Sequence, residues 1–216
     1  MGLVYSSSES SKLIAGMKNN LSIGKQVTEQ LKTGSIKVVS AVDGKTLAGA
    51  AYTAGKGLFS ELIIPTIDKV TSSIDKVEAE LETYINANAR ISDESLLDED
   101  KLTQQIQTKQ SMKNTVDSAA STLKNIVRNS LLASAVDSIL SVQKTLNQLS
   151  EAFGDDIHEL EKKLEKLHQF SWDISPLFST SLNDMNIAMQ AVLVLKNTTV
   201  NNDGTYQLPE GTDLSW

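Results

Sequence analysis

Apolar residues recur at steps of three and four along most of the chain, the spacing of one buried face of an α-helix. The first such stripe runs Leu13, Met17, Leu21, Gly24, Thr28, Leu31, Ser35, Val38, Val42. The serines at Ser6–Ser8 offer N-caps, because a hydroxyl can accept from the free amides of a first turn. The stripe is patchy: Gly24, Thr28 and Ser35 stand where large apolar side chains are expected. Asp43-Gly44 signals a turn. A second helix is expected from Lys45 or Thr46 to about Ala89, striped by Leu47, Ala51, Ala54, Leu58, Leu62, Ile67, Val70, Ile74, Val77, Leu81 and Tyr84. Pro65 lies inside it, lacks an N–H and clashes with the preceding turn. A kink near Leu62–Pro65 follows, with a full break as the alternative.

Ile91–Ser95 reads as a turn. The next stripe starts near Leu97 and passes through Leu102, Ile106, Met112, Val116, Leu123, Ile126, Val136, Leu140, Leu146, Leu149 and Phe153. It is one helix of about 55 residues, or two joined near Arg128–Ser130. Phe153-Gly154 is expected to end it, with Asp155 or Asp156 capping a shorter helix that buries Ile157, Leu160, Leu164 and Leu167. Ser175-Pro176 should open a last helix carrying Leu177, Leu182, Met185, Ala188, Met189, Val192 and Leu195. Thr199–Tyr206, with Asp203-Gly204 at its turn, predicts a β-hairpin. The last residues, LPEGTDLSW, read as a linker or an end tied down by Trp216. The fold class is therefore all-α: an elongated antiparallel bundle of long helical hairpins, with one small β-hairpin near the C-terminus.

Composition supports this reading. Aromatics are 5% of 216 residues, with only three prolines and eleven glycines, whereas sheets favour aromatic and β-branched side chains. The net charge of −7 argues against nucleic acid as a partner, which needs a basic surface to neutralise phosphates. The charge is uneven: residues 1–60 carry many lysines, and the stretch from Asp75 to Asp100 is acidic. There is no cysteine, which removes disulfides and zinc-thiolate sites. Residues 1–10 have neither the charged nor the apolar region of a cleavable signal peptide, and no apolar run is long enough to span a bilayer.

Catalytic chemistry has no support in the residues. His158 and His168 are ten positions apart on one helix, about 15 Å, too far to share a metal. Asp98-Glu99-Asp100 and Asp155-Asp156 precede predicted helices, where acids favour the positive end of the helix dipole. No phosphate-binding loop or nucleophile elbow is present. Neither an enzyme nor a cofactor is expected. Tyr5-Ser6-Ser7-Ser8-Glu9 fits the Y-x-x-x-[DE] pattern of small helical secretion substrates, although there it follows the helices.

The most informative stretch is residues 45–68, KTLAGAAYTAGKGLFSELIIPTID. Small residues from Leu47 to Gly57 allow close helix approach, and an apolar knob follows at Leu58, Phe59, Leu62, Ile63 and Ile64. Phe59, Ile63 and Ile64 lie off the main stripe and need a second surface to cover them. This is a docking surface for partner helices or a tight crossing within the chain.

Leu47-Ala48-Gly49, then a small-residue helix, Phe59, Glu61 and Pro65, resembles the signature region of the LXG domain. The likeness is clearest over residues 1–90 and extends, by helical organisation, to about residue 196. LXG domains form the N-terminal part of polymorphic toxins exported by type VII secretion in Gram-positive bacteria, and share the helical-hairpin core of WXG-type proteins. The resemblance implies a targeting domain over residues 1–196, with residues 197–216 leading toward a toxin domain that this sequence lacks. It implies binding to small helical chaperone-like proteins encoded nearby, presentation to the membrane ATPase, and secretion without a cleaved signal. Its partner-binding and targeting residues would be Leu47, Gly49, Tyr52, Leu58, Phe59, Ile63, Ile64 and Pro65.

Two other classes compete. A helical pore-forming toxin component is also a cysteine-poor rod, and its inserting segment would be Leu58–Ile67, which is too short to span and contains Glu61 and Pro65. A coiled-coil spacer would need regular heptads, which the glycines at 16, 24, 34, 49, 55 and 57 interrupt.

Overall fold

The structure, a computed structural model, describes residues 2–129, 133–201, 203 and 205–210. Elements follow in the order β1 (Val4–Ser6), α1 (Ser7–Asp43), α2 (Ala50–Leu58), a π-helical turn (Phe59–Ile63), α3 (Ile64–Ala89), β2 (Leu96–Asp98), α4 (Glu99–Asn129), α5 (Ala133–Ile174), α6 (Ser179–Lys196), β3 (Thr199–Val200) and β4 (Tyr206–Gln207). The all-α class, the helical hairpins and the C-terminal strand pair are as the sequence predicts. The expected junction near Ser130, the Gly204 half of the hairpin turn and the Trp216 end lie outside the described residues.

Two compact units divide the chain: Met1–Ser10 with Ala87–Asp173, and Ser11–Asn86 with Ile174–Trp216. In the first unit α4 and α5 run antiparallel, since partners rise along one helix as they fall along the other: Lys109 with Asp156, then Asp117 with Ser150. β1 pairs with β2, setting Tyr5 opposite Leu97. Tyr5 is buried, meets the Phe170 ring edge-on at 5.2 Å and donates its hydroxyl to Asn88 Oδ1 at 2.9 Å. The Tyr5–Glu9 pattern thus begins on a core residue. These two short strands were not expected, because three residues are too few to show an alternation.

α5 also corrects the reading at Phe153-Gly154, since the helix passes straight through to Ile174. An interior glycine costs only about 1 kcal/mol relative to alanine, and pairing with α4 offsets that. Asp155 and Asp156 are therefore mid-helix, and Asp156 pairs with Lys109. Pro176 likewise does not open the last helix, which starts at Ser179. Phe178 occupies the N-cap position at φ 69°, and its N–H donates to Glu80 Oε2 at 3.0 Å. Ser181 donates its hydroxyl to the same carboxylate, so Glu80 of α3 caps α6 from outside the helix.

The second unit is built on α3. Lys25 pairs with Asp75 and Glu78, and Lys32 with Asp68, so α1 is antiparallel to α3. Lys76 pairs with Asp184, level with the Glu80 cap, so α6 is antiparallel to α3 too. Leu21, Ile74, Val77 and Leu81 form the core, joined by Met17, Phe178 and Met185. Gly24 faces α3 closely: a Cβ there would stand 3.2 Å from Ile74 Cδ1.

Candidate partner-binding surface

The tip of the α1–α3 hairpin holds the residues singled out in the sequence. α1 ends in a Schellman motif: Thr46 N–H donates to Ala41 O at 3.1 Å and Lys45 N–H to Val42 O at 3.1 Å. The left-handed residue is Lys45, at φ 56°, one position after the glycine that signalled the turn. The second helix consequently begins at Ala50 rather than at Lys45 or Thr46. Gly49 is its N-cap residue at φ 122°, and a Cβ there would meet nothing within 4 Å. Its requirement is conformational, since L side chains rarely adopt that φ, and not one of close helix approach.

Leu47 is half-buried, while Gly49, Tyr52 and Pro65 are exposed. Leu58, Phe59, Ile63 and Ile64 are half-buried around the buried Ala54 and Leu62. Of the small residues here, Gly57 serves this chain's own hairpin. β3 and β4 lie against α2, the Tyr206 ring comes to 3.6 Å of where a Gly57 Cβ would be, and Tyr206 donates its hydroxyl to Glu61 Oε2 at 2.7 Å. That carboxylate, wanting the proton on its donor, pushes the Tyr206 phenol up from its ordinary value. The irregularity expected near Pro65 is a π turn over Phe59–Ile63 rather than a break.

The larger apolar surface is one the sequence reading misassigned. Leu13, Leu31 and Val38, placed on the buried stripe of α1, are exposed, while Ser10, Thr28 and Ser35 are buried. The hydroxyls make this possible. Thr28 donates to Gly24 O at 3.0 Å and Ser35 to Leu31 O at 2.8 Å, so neither leaves an orphaned polar group in the core. Freed of the core, Leu13, Ile23, Val27, Leu31 and Val38 form an outward stripe, each 37–54% exposed. Gly16 and Gly34 lie on that stripe with open space where a Cβ would be. α6 carries a second one: Leu182, Met189 and Leu193 are 50–61% exposed, while its core side uses Ser181, Ala188 and Ala191. In the other unit Trp172 is the most exposed large apolar side chain among the described residues, at 77%.

Among the described residues no group of three His, Asp or Glu side chains could hold a metal ion. His168 Nε2 lies 2.9 Å from Glu99 Oε1, and Leu3 N–H donates to Glu99 Oε2 at 2.7 Å, which makes the pair a tie between α4, α5 and the residue just before β1. No described helix is long and apolar enough to cross a membrane.

The family profile described as the LXG domain of the WXG superfamily matches residues 6–207, nearly the whole chain and including the C-terminal hairpin. No curated protein and no solved structure matches it.

Proposed function

The chain belongs to the LXG domain family, and from that premise we propose that it is the non-catalytic targeting domain of a secreted antibacterial toxin. It binds small helical WXG-like or chaperone proteins encoded nearby, and the assembly is handed to the membrane ATPase of a type VII secretion system. The chain is then a secreted protein, made in the cytoplasm and exported without a cleaved signal. Residues 1–196 form the targeting part, and residues 197–216 lead toward the toxin. The observation that carries the reading is the outward apolar stripe of α1, which a free chain would have no reason to leave in water. The tip residues from Leu47 to Pro65, including Gly49, Tyr52, Phe59, Ile63 and Ile64, belong to the same proposal as a second contact with partner or machine. No observation favours the pore-forming alternative: its Leu58–Ile67 segment lies within the α2–α3 helix, with Leu62 and Ile67 in the core.

Two measurements test the reading. Co-expression with the small helical proteins encoded beside it should give a complex that survives gel filtration. Export of the toxin-bearing chain should stop when the membrane ATPase is deleted. A folded chain that captures none of those proteins and still reaches the medium without the ATPase would sink it.

A further inference from the structure

The stripes of α1 and α6 lie on one face. Lys25 meets Asp75 and Lys76 meets Asp184, so residues 25 and 184 are level, and Ile23 stands opposite Leu182. Both helices run the same way, on two sides of α3. At about 100° per residue, the α1 stripe stands about 100° round from its core side, and the α6 stripe about 140° round in the opposite sense. Opposite senses on opposite sides of α3 turn both stripes to the same side. The α1 stripe spans Leu13 to Val38, about 38 Å at 1.5 Å per residue.

The rim of this face is basic in a chain of net charge −7. Lys12 and Lys37 flank the α1 stripe on its outer edge, and Lys196 ends α6 level with Lys37. None of the three makes an ion pair among the described residues, whereas Lys25 and Lys32 on the core side do. Glu29 points away from the stripe, Glu9 stands on its line one turn before Leu13, and the other outer-edge positions, Asn19, Gln26 and Gln30, are neutral.

Resting on the targeting reading above, we propose that the α1/α6 face seats a single amphipathic helix of about 25 residues from another polypeptide, apolar on one side and acidic along its edges. Gly16 and Gly34 are where its larger apolar side chains come closest to α1. Charge disfavours a second copy of this chain as the occupant. Antiparallel self-pairing about the middle of the stripe would set Gly16 against Gly34 and Ile23 against Val27, which is sterically apt, but it would also bring Lys12 against Lys37. An acidic edge removes that repulsion and gives the encounter its steering.

The test uses the full chain with two designed 25-residue amphipathic helices, identical in their leucine face, one edged with glutamate and one with lysine, alongside the neighbour-encoded small helical proteins. The glutamate-edged helix should bind at least about tenfold more tightly at low salt, with the gap closing as salt approaches about 0.5 M. Val27→Arg and Gly34→Leu should each weaken both that helix and the natural partner by about tenfold or more, with circular dichroism unchanged. Gly34→Ala, the milder variant, guards against misfolding and should weaken binding less. Lys12→Glu with Lys37→Glu should reverse the preference between the two helices. If the natural partner binds Val27→Arg and Gly34→Leu as it binds wild type, the targeting reading survives and this seat is wrong. If no neighbour-encoded protein binds wild type and neither designed helix does, both fall. Dimerisation of wild type abolished by Gly34→Leu, or binding to anionic vesicles abolished by Val27→Arg, would identify a different occupant and overturn the proposal.

Discussion

The amide of Ile64 donates to the carbonyl of Phe59, five residues back instead of four, directly before Pro65. The proline has no N–H for the carbonyl four residues earlier, and its ring crowds that turn, so the helix widens there. One extra residue is accommodated, which rotates everything before it relative to α3. Deleting the exposed Ser60 together with Pro65→Ala should therefore remove both the extra residue and the cause of the widening, restore regular α-helix and leave stability within about 1 kcal/mol. Deleting the exposed Ser72, in regular helix, should turn Thr66, Ile67 and the residues before them off the core and cost several times more. Equal losses in urea unfolding would show that the π turn is not an insertion of one residue.

Lys45 holds the left-handed position that closes α1, at φ 56°. A non-glycine residue there costs about 1 kcal/mol, and its backbone N–H already bonds Val42 O, so glycine loses no contact. Lys45→Gly should raise stability by about 1 kcal/mol. Gly49→Ala, at φ 122°, should lower it by at least that much, with no clash to blame. Both are read from thermal or urea unfolding, and a destabilised Lys45→Gly would contradict the assignment.

What was legible in the sequence was periodicity, and what was not was which of two faces is covered. α1 has two stripes about 100° apart, one of serine, threonine, glycine and leucine, the other of leucine, isoleucine, valine and glycine. Hydrophobicity alone drew a line that crossed from one to the other. The core took the smaller stripe, because hydroxyls that bond back to their own helix can be buried while α3 approaches closely. The tip was legible through Leu47-Ala48-Gly49 and Pro65, yet the role given to its glycines was not, since Gly49 serves a backbone angle and Gly57 makes room for Tyr206. Those are relations to conformation and to a residue 149 positions away, which local spacing does not encode.

Thr66 is 1% exposed, and its hydroxyl has no partner among the described residues. Thr71, Ser73 and Thr83 on the same helix each donate to the carbonyl four residues back. For Thr66 that carbonyl belongs to Leu62, inside the π turn and out of register. An unsatisfied buried hydroxyl costs about 1–3 kcal/mol, so Thr66→Val, of the same shape, should stabilise by about 1 kcal/mol. A loss of stability on urea unfolding would mean that the hydroxyl is satisfied, by water for instance.

Glu99 is held below its ordinary value of 4.5, first by the Leu3 backbone N–H and then by His168. A depressed carboxylate binds fewer protons folded than unfolded. Its contribution is therefore present above the ordinary value and lost as pH falls through the folded one. Asp93, Asp98 and Asp117 are depressed as well, so only a variant isolates this group. Between about pH 5.5 and pH 3 the urea midpoint of wild type should fall further than that of Glu99→Gln. Parallel profiles would show that the Leu3–Glu99–His168 tie is not formed in solution.

Three glycines of α1 divide by what surrounds them. Gly24 faces Ile74 Cδ1, 3.2 Å from where its Cβ would be, while Gly16 and Gly34 face nothing. In the free chain, Gly16→Ala and Gly34→Ala should each stabilise by up to about 1 kcal/mol, because alanine is the better helix former and there is room for it. Gly24→Leu should destabilise by about 1–3 kcal/mol, since the α1–α3 approach must widen around the new side chain. Thermal unfolding of the three variants reads this directly. If Gly16→Ala and Gly34→Ala proved as harmful as Gly24→Leu, the outward stripe would be covered in the free chain. If both stabilise the chain, these glycines were not kept for its own fold. Such open positions on a helix face are then free for the partner helix proposed above to lie across them.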